Sequence, residues 1–280
     1  MYMPGDDLRK ITKAASLDLD IAVLDCEDAV AVSRKTEARS VICDALNNIA
    51  FGRTERGVRT NSVSSGLIDD DLEATLKNRI RPDILMVPKL DTPDEALYLN
   101  SAVALHSDPP VPVIFQTESA VGLINIHQVI KALIASSHII PVAIVFGSDD
   151  YVSDIRGSRE DIEAVVYARQ RLVTYARAYN LQPIDRVYID FKDNEGLRRE
   201  SEQGFAFGFA GKQCIHPSQI PIVQNSFSPS PDQLYFAKEL IVAFDDNQKA
   251  GKGAFSFRGK MIDRPTLLQA QNIVNMYETK

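Results

Sequence analysis

The sequence predicts an α/β chain folded as a (β/α)8 barrel, with a C-terminal helical arm that packs on a neighbouring subunit. Three observations predict it. Apolar, β-branched runs recur along the chain and alternate with segments of helical period, the pattern of a parallel sheet. Eight such runs fit within 280 residues, a suitable length for eight βα units. Polar residues collect where the runs end, the rim on which parallel barrels carry their chemistry. No glycine-rich dinucleotide fingerprint follows an early run, which disfavours the runner-up, an open doubly wound sheet.

Taken in order, the first short strand is MYMP at the start, followed by IAVLDCE (21–27), GVRTNS (57–62) and ILMVPKL (84–90). PVIFQTE (112–118), VAIVFGS (142–148), VYIDF (187–191) and KQCIHP (212–217) complete the eight. Helical stretches separate them, such as 33–49 and 159–180. The second of these sets Ile162, Val165, Val166, Arg169, Leu172 and Val173 at helical spacing. The glycines of GFAFGFAG (204–211) permit tight helix-to-strand packing. Beyond the last strand, 228–251 reads as a capped helix, 252–265 as irregular chain and about 265–278 as a final helix. This tail exceeds what an eighth barrel helix needs. The division is therefore a barrel over 1–227 and a helical extension over 228–280, which helps close the barrel and packs on a neighbouring subunit.

Composition narrows the function. With 45% hydrophobic and 25% charged residues the chain reads as soluble and globular. Its net charge of −7 argues against general affinity for nucleic acid or anionic membrane. No apolar run reaches the roughly 18–20 residues of a membrane span. Cys26, Cys43 and Cys214 are few and far apart, so they read as reduced thiols. The scattered histidines 106, 127, 138 and 216 disfavour a zinc site. The opening MYMPGDD has no signal-peptide pattern, and its abrupt start reads as though natural sequence precedes it.

The rim residues carry the chemistry. Asp25, Glu27 and Asp28 end one strand. Arg59, Lys89 and Glu118 end the next three, with Asp149 and Asp150 after another. Asp190 and His216 end two later ones. Each has a plainer role: Asp28 as a helix cap or partner of Lys35 or Arg39, Lys89 as a solvated turn residue, His216 as a backbone brace. About two strand-end carboxylates in three are of that plain kind. Convergence at one mouth favours function. Glu118 and Asp150 end adjacent strands, where two carboxylates without a cation repel. Oxygen-only ligands point to Mg²⁺. Arg59 offers a bidentate fork to a substrate carboxylate. Metal and arginine together suit a keto or hydroxy acid and C–C cleavage or condensation through an enolate, with metal-assisted hydrolysis or phosphoryl chemistry still open.

The motifs YMPGDD, LDCEDAV…KTEAR, VRTNSVSSG, VPKL, ESAVGLIN, FGSDDY, GKQCIHPSQI and GKGAFSFRGKMID occur in order along almost the whole chain. In identity, order and spacing they resemble the citrate lyase β-subunit-like proteins of the HpcH/HpaI aldolase superfamily, and most of all its citramalyl-CoA lyase branch. The resemblance implies a Mg²⁺-dependent, homotrimeric TIM barrel that acts on acyl-CoA thioesters and cleaves (3S)-citramalyl-CoA to acetyl-CoA and pyruvate. Malyl-CoA lyase, thioesterase or malate synthase side activity is also implied. Glu118 and Asp150 match the metal carboxylates, Arg59 the substrate-carboxylate arginine, and the backbone N–H groups near Asp149 and Asp150 the loop holding that carboxylate. Asp263 matches an acidic arm residue that reaches a neighbour's site, where it is the expected general base. Lys13, with Arg9 and Lys10, falls where CoA phosphates are met. Asp149 stands for a usual Glu, and Ser119 for a usual Thr. By resemblance the location is mitochondrial. The alternatives are a metal-dependent aldolase of free hydroxy-keto acids, or a β-type subunit acting on a carrier-protein thioester.

Overall fold

Eight parallel strands follow one another in sequence order across one curled, barrel-like sheet in the computed structural model. The structure describes residues 1–158, 162–249, 251 and 253–278. The chain forms two compact units, Met1–Val223 and Gln224–Lys280.

The first unit runs β1 (Tyr2–Pro4), α1 (Leu8–Ala14), β2 (Ile21–Asp25), α2 (Lys35–Asn48), β3 (Glu55–Arg59) and α3 (Ile68–Leu76). It continues with β4 (Ile84–Val87), α4 (Pro93–Ala104), β5 (Val111–Thr117), α5 (Ala120–Ile134), β6 (Ile139–Phe146) and α6 (Ser148–Asp154). Then come α7 (Val166–Ala178), β7 (Gln182–Asp185), α8 (Asn194–Phe207), β8 (Gly211–Lys212) and α9 (Ile220–Ser226). Each strand pairs with the next. The Tyr2 N–H donates to the Cys214 carbonyl at 3.1 Å, just past β8, and the Tyr2 hydroxyl donates to Gln213 Oε1 at 2.8 Å. These bonds link the first strand to the segment after the last.

The enclosed face of the sheet packs Val23, Ile84, Met86, Ile114, Ala143 and Val145 together. Alternation along each strand sends these residues to one side. Gly57 in β3 keeps that layer tight. A Cβ there would meet the Ile21, Ile84 and Val23 methyls at 3.1, 3.3 and 3.5 Å. Local chemistry fixes where helices leave the rim. Thr92 and Glu95 form a capping box with Pro93 in the first turn of α4, and Ser119 Oγ accepts the Gly122 N–H at the start of α5.

Three sequence expectations need correction. KQCIHP (212–217) reads as the eighth strand, yet β8 is only Gly211–Lys212, and His216, four residues beyond it, ends no strand. VYIDF (187–191) has the composition of a strand, yet β7 is Gln182–Asp185, paired to Ala143–Val145 of β6. Tertiary pairing overrides propensity here. Asp185 ends this strand beside its buried partner Arg169, whereas Tyr188 and Phe191 lie in the following loop, and Asp190 ends no strand. In the tail, the described part of the segment expected to be irregular (252–265) holds two strands. In the second unit, α10 (Pro231–Lys249) is followed by the antiparallel strands β9 (Phe255–Phe257) and β10 (Lys260–Ile262), then α11 (Arg264–Glu278). Ala237, Leu240, Phe244, Ile262 and Ala270 form the core of that unit. The helix expected over 159–180 begins outside the described residues. Its described part is a 3-10 turn at Ile162–Val165 and then α7.

Candidate active site

The site forms at the carboxyl ends of β2 to β6. Asp25, the last residue of β2, is fully buried and grips Arg59, the last of β3. Arg59 Nε donates to Asp25 Oδ1 at 2.7 Å and Nη2 to Oδ2 at 2.6 Å. Asp25 also accepts the backbone N–H groups of Glu27 and Ala29. The fork of Arg59 is thus engaged by Asp25, and Nη1 is left to face Glu27 Oε2 at 2.8 Å. That oxygen is buried and has no aligned hydrogen bond. The Arg59 guanidinium also lies over the Tyr2 ring, 4.9 Å from its centroid.

Lys89 follows β4 in a left-handed conformation, with φ of 50°. Its Nζ lies 2.7 Å from Glu27 Oε1, 3.1 Å from Asp150 Oδ2 and 3.8 Å from Asp28 Oδ2. Its backbone N–H donates to Glu118 Oε1 at 2.8 Å. The two carboxylates expected to bind metal therefore meet at Lys89. Burial opposes the Lys89 charge, but the bond to Glu27 and the nearby acids outweigh it and raise the pKa. Burial also pushes the Glu118 carboxyl up to about 8. Glu27 and Asp150 add to the rise, and Lys89 and Arg59 oppose it. Glu27 is likewise raised, chiefly by burial.

Gly147 gives Glu118 its room. A Cβ at this position would lie 2.3 Å from Glu118 Oε2 and 2.4 Å from its Cβ. Sequence reasoning passed over this glycine, although its place between β6 and Asp149–Asp150 was a usable signal. Lys89 was noted at the rim, but its reach to three carboxylates was not legible there.

Asp25, Glu27, Asp28, Glu118 and Asp150 surround two cations, Arg59 and Lys89. This surplus of acid, the pKa of Glu118 and the unaligned Glu27 oxygen all fit a divalent cation, which takes oxygen ligands and relieves carboxylate repulsion. Among the described residues no group of three or more His, Cys, Asp or Glu has metal-holding geometry. A metal here would complete its shell with water or substrate oxygens, as Mg²⁺ commonly does.

The remaining expected residues are more dispersed. Asp149 is exposed in the first turn of α6, 3.5 Å from Ser148 Oγ. Lys13 is exposed in the last turn of α1, while Lys10, nearer the rim, pairs with Asp7. Asp263 belongs to the second unit. It is exposed and caps α11, its Oδ1 accepting the Thr266 hydroxyl at 2.8 Å and the Thr266 N–H at 3.2 Å. These bonds hold its carboxyl below the usual range, so it is ionised at neutral pH. His216 braces the backbone: its Nδ1 accepts the Ser218 N–H, and its ring stacks on Phe191. Lys35 bonds the Cys26 and Glu27 carbonyls, and Arg39 pairs with Asp71. A cleft lined by Asn47, Arg53, Arg56 and Asp83 lies at the opposite, amino end of β3. There Arg56 is paired with Asp83, and Arg53 with Asp18.

Comparison with known proteins identifies relatives of the chain. The HpcH/HpaI aldolase/citrate lyase family matches residues 1–217. The chain is 46% identical over 286 residues to the mitochondrial citramalyl-CoA lyase of Homo sapiens, covering 99% of this chain and 84% of that protein. It is 33% identical to a (3S)-malyl-CoA thioesterase of Cereibacter sphaeroides, covering 98% and 94%. Among solved structures, CitE of Mycobacterium tuberculosis in complex with magnesium, acetoacetate and coenzyme A matches with a TM-score of 0.80. That match has 27% identity and covers 99% of this chain and 96% of CitE.

Proposed function

The chain belongs to the HpcH/HpaI aldolase/citrate lyase family, and on that premise we propose that it cleaves (3S)-citramalyl-CoA to acetyl-CoA and pyruvate as a Mg²⁺-dependent carbon–carbon lyase. The likeness to citramalyl-CoA lyase over nearly the whole chain supports the reaction. The observation that carries the reading is the acidic mouth, in which Glu118 and Asp150 meet at Lys89 among an excess of carboxylates.

Glu118 and Asp150 would hold the ion. When bound, Mg²⁺ polarises the oxygen that becomes the keto group of pyruvate and stabilises charge there. Arg59, oriented by Asp25, presents Nη1 to the substrate carboxylate, and the N–H groups opening α6 beside Asp149 and Asp150 hold its other oxygen. Asp263, brought by the arm of a neighbouring subunit, takes the hydroxyl proton. The C–C bond then breaks, its electron pair passing to the α-carbon of the acetyl thioester, which takes a proton from water. Arg9, Lys10 and Lys13 on α1 meet the CoA phosphates. This arrangement uses a closed (β/α)8 barrel over 1–227, an extension over 228–280 and a homotrimer. Its compartment is the mitochondrion, as for the citramalyl-CoA lyases it resembles.

A pyruvate-coupled assay tests the reading. Citramalyl-CoA should be cleaved with Mg²⁺ and not with EDTA, whereas free citramalate should not react. Cleavage of free citramalate at a comparable rate would point to an aldolase of free acids. Cleavage only of a carrier-protein thioester would point to a citrate lyase β-type subunit.

A further inference from the structure

Lys89 touches both proposed metal carboxylates with different parts of itself. Its backbone N–H binds Glu118 Oε1, and its ammonium binds Asp150 Oδ2 while resting on Glu27 Oε1. The left-handed backbone is costly for a non-glycine residue and persists where surrounding contacts hold it. The two cations of the mouth differ in freedom. Arg59 is bound in two places to a fully buried Asp25. The Lys89 side chain is 36% exposed, and its compact charge rides on a flexible stem. We propose that Lys89 is the resident counter-cation of the metal site: its ammonium and the divalent ion compete for Asp150, while its N–H keeps Glu118 aimed at the ion. This rests on the assignment of Glu118 and Asp150 as metal carboxylates. The ammonium keeps the acidic mouth assembled before the ion arrives. It retreats toward Glu27 and Asp28 when the ion takes Asp150, and its remaining repulsion limits metal affinity.

The test is a calorimetric titration of Mg²⁺ into the full chain and into Lys89→Met, Lys89→Arg and Asp150→Ala. Lys89→Met keeps the N–H but loses the charge, so it should bind Mg²⁺ about tenfold tighter or more. It should also melt lower without Mg²⁺ and gain more from it. Lys89→Arg should stay within about threefold of wild type, because the charge remains. Equal or weaker binding by Lys89→Met would overturn the competition. Unchanged Mg²⁺ binding by Asp150→Ala would instead overturn the metal assignment beneath it. Should Lys89→Met not fold, mass-spectrometric mapping of amine acetylation on the wild type reads the same exchange. Mg²⁺ should raise labelling of Lys89, and unchanged or reduced labelling would contradict the proposal.

Discussion

At the ends of β2 to β6, five carboxylates share two cations; at the ends of β7 and β8, two carboxylates share three. In the second cluster Arg169 binds Asp185 through Nε at 3.0 Å and Nη2 at 2.6 Å, and Gln203 through Nη1. Lys212 donates to Glu200 Oε1 at 2.6 Å, and Arg186 pairs with Glu200 Oε2. Phe207 and Phe209 flank the Arg169 guanidinium. The charged side chains of this cluster are at most 8% exposed, whereas Lys89 and Asp150 in the first are 36% and 45% exposed. The difference is one of unfinished charge. The second cluster has enough cations for its acids, and solvent barely reaches it, so it braces α7 and α8 against the sheet. The first lacks positive charge and stands open to water, the condition in which a divalent ion and an organic acid can be received.

The largest effect expected from breaking this contrast is on turnover at the first cluster. Glu118→Ala and Asp150→Ala should each lower Mg²⁺-dependent cleavage by about a thousandfold or more while circular dichroism shows a folded chain. Wild-type rates in either variant would remove the metal assignment. Arg169→Met, in the second cluster, should do the reverse. It leaves the buried Asp185 with only the Lys212 ammonium, 3.8 Å away, and should cost about 3–5 kcal/mol of unfolding free energy in a denaturant titration. Addition of Mg²⁺ should not restore it.

Asp263→Ala separates the arm from the mouth. Its side chain caps α11, so stability should fall by about 1 kcal/mol, the usual cost of a lost cap, while turnover falls about a hundredfold with substrate binding retained. Undiminished turnover would contradict the proposed role of the arm. The smallest change is Gly147→Ala. The new methyl displaces Glu118, and turnover should fall about ten- to a hundredfold, as for a misplaced catalytic group. An unchanged rate would mean that the Glu118 position is not critical.

Much of the fold was legible in the sequence because burial writes itself as continuous apolar runs. β2, β4, β5 and β6 lie within or beside the runs that announced them, and Arg169 already stood on the apolar stripe of its helix. β7 was misplaced because QPID has little strand character, and its pairing with β6 is decided by long-range contacts. The β9–β10 hairpin was missed because three-residue strands around a polar turn leave no periodic trace. Within the site, Glu118, Asp150 and Arg59 were legible as rim residues. That Asp25 fills the fork of Arg59, that Lys89 links three strand ends and that Gly147 shapes Glu118 depend on distances between separate loops, which a linear pattern does not carry.

The central claim is that charge deficiency selects where the ion binds. Anomalous scattering from crystals soaked in Mn²⁺, a surrogate for Mg²⁺, tests it most directly. The account predicts a peak roughly 2.0–2.2 Å from carboxylate oxygens of both Glu118 and Asp150, with none at Asp185 or Glu200. A peak at the second cluster, or one that touches neither Glu118 nor Asp150, would contradict it.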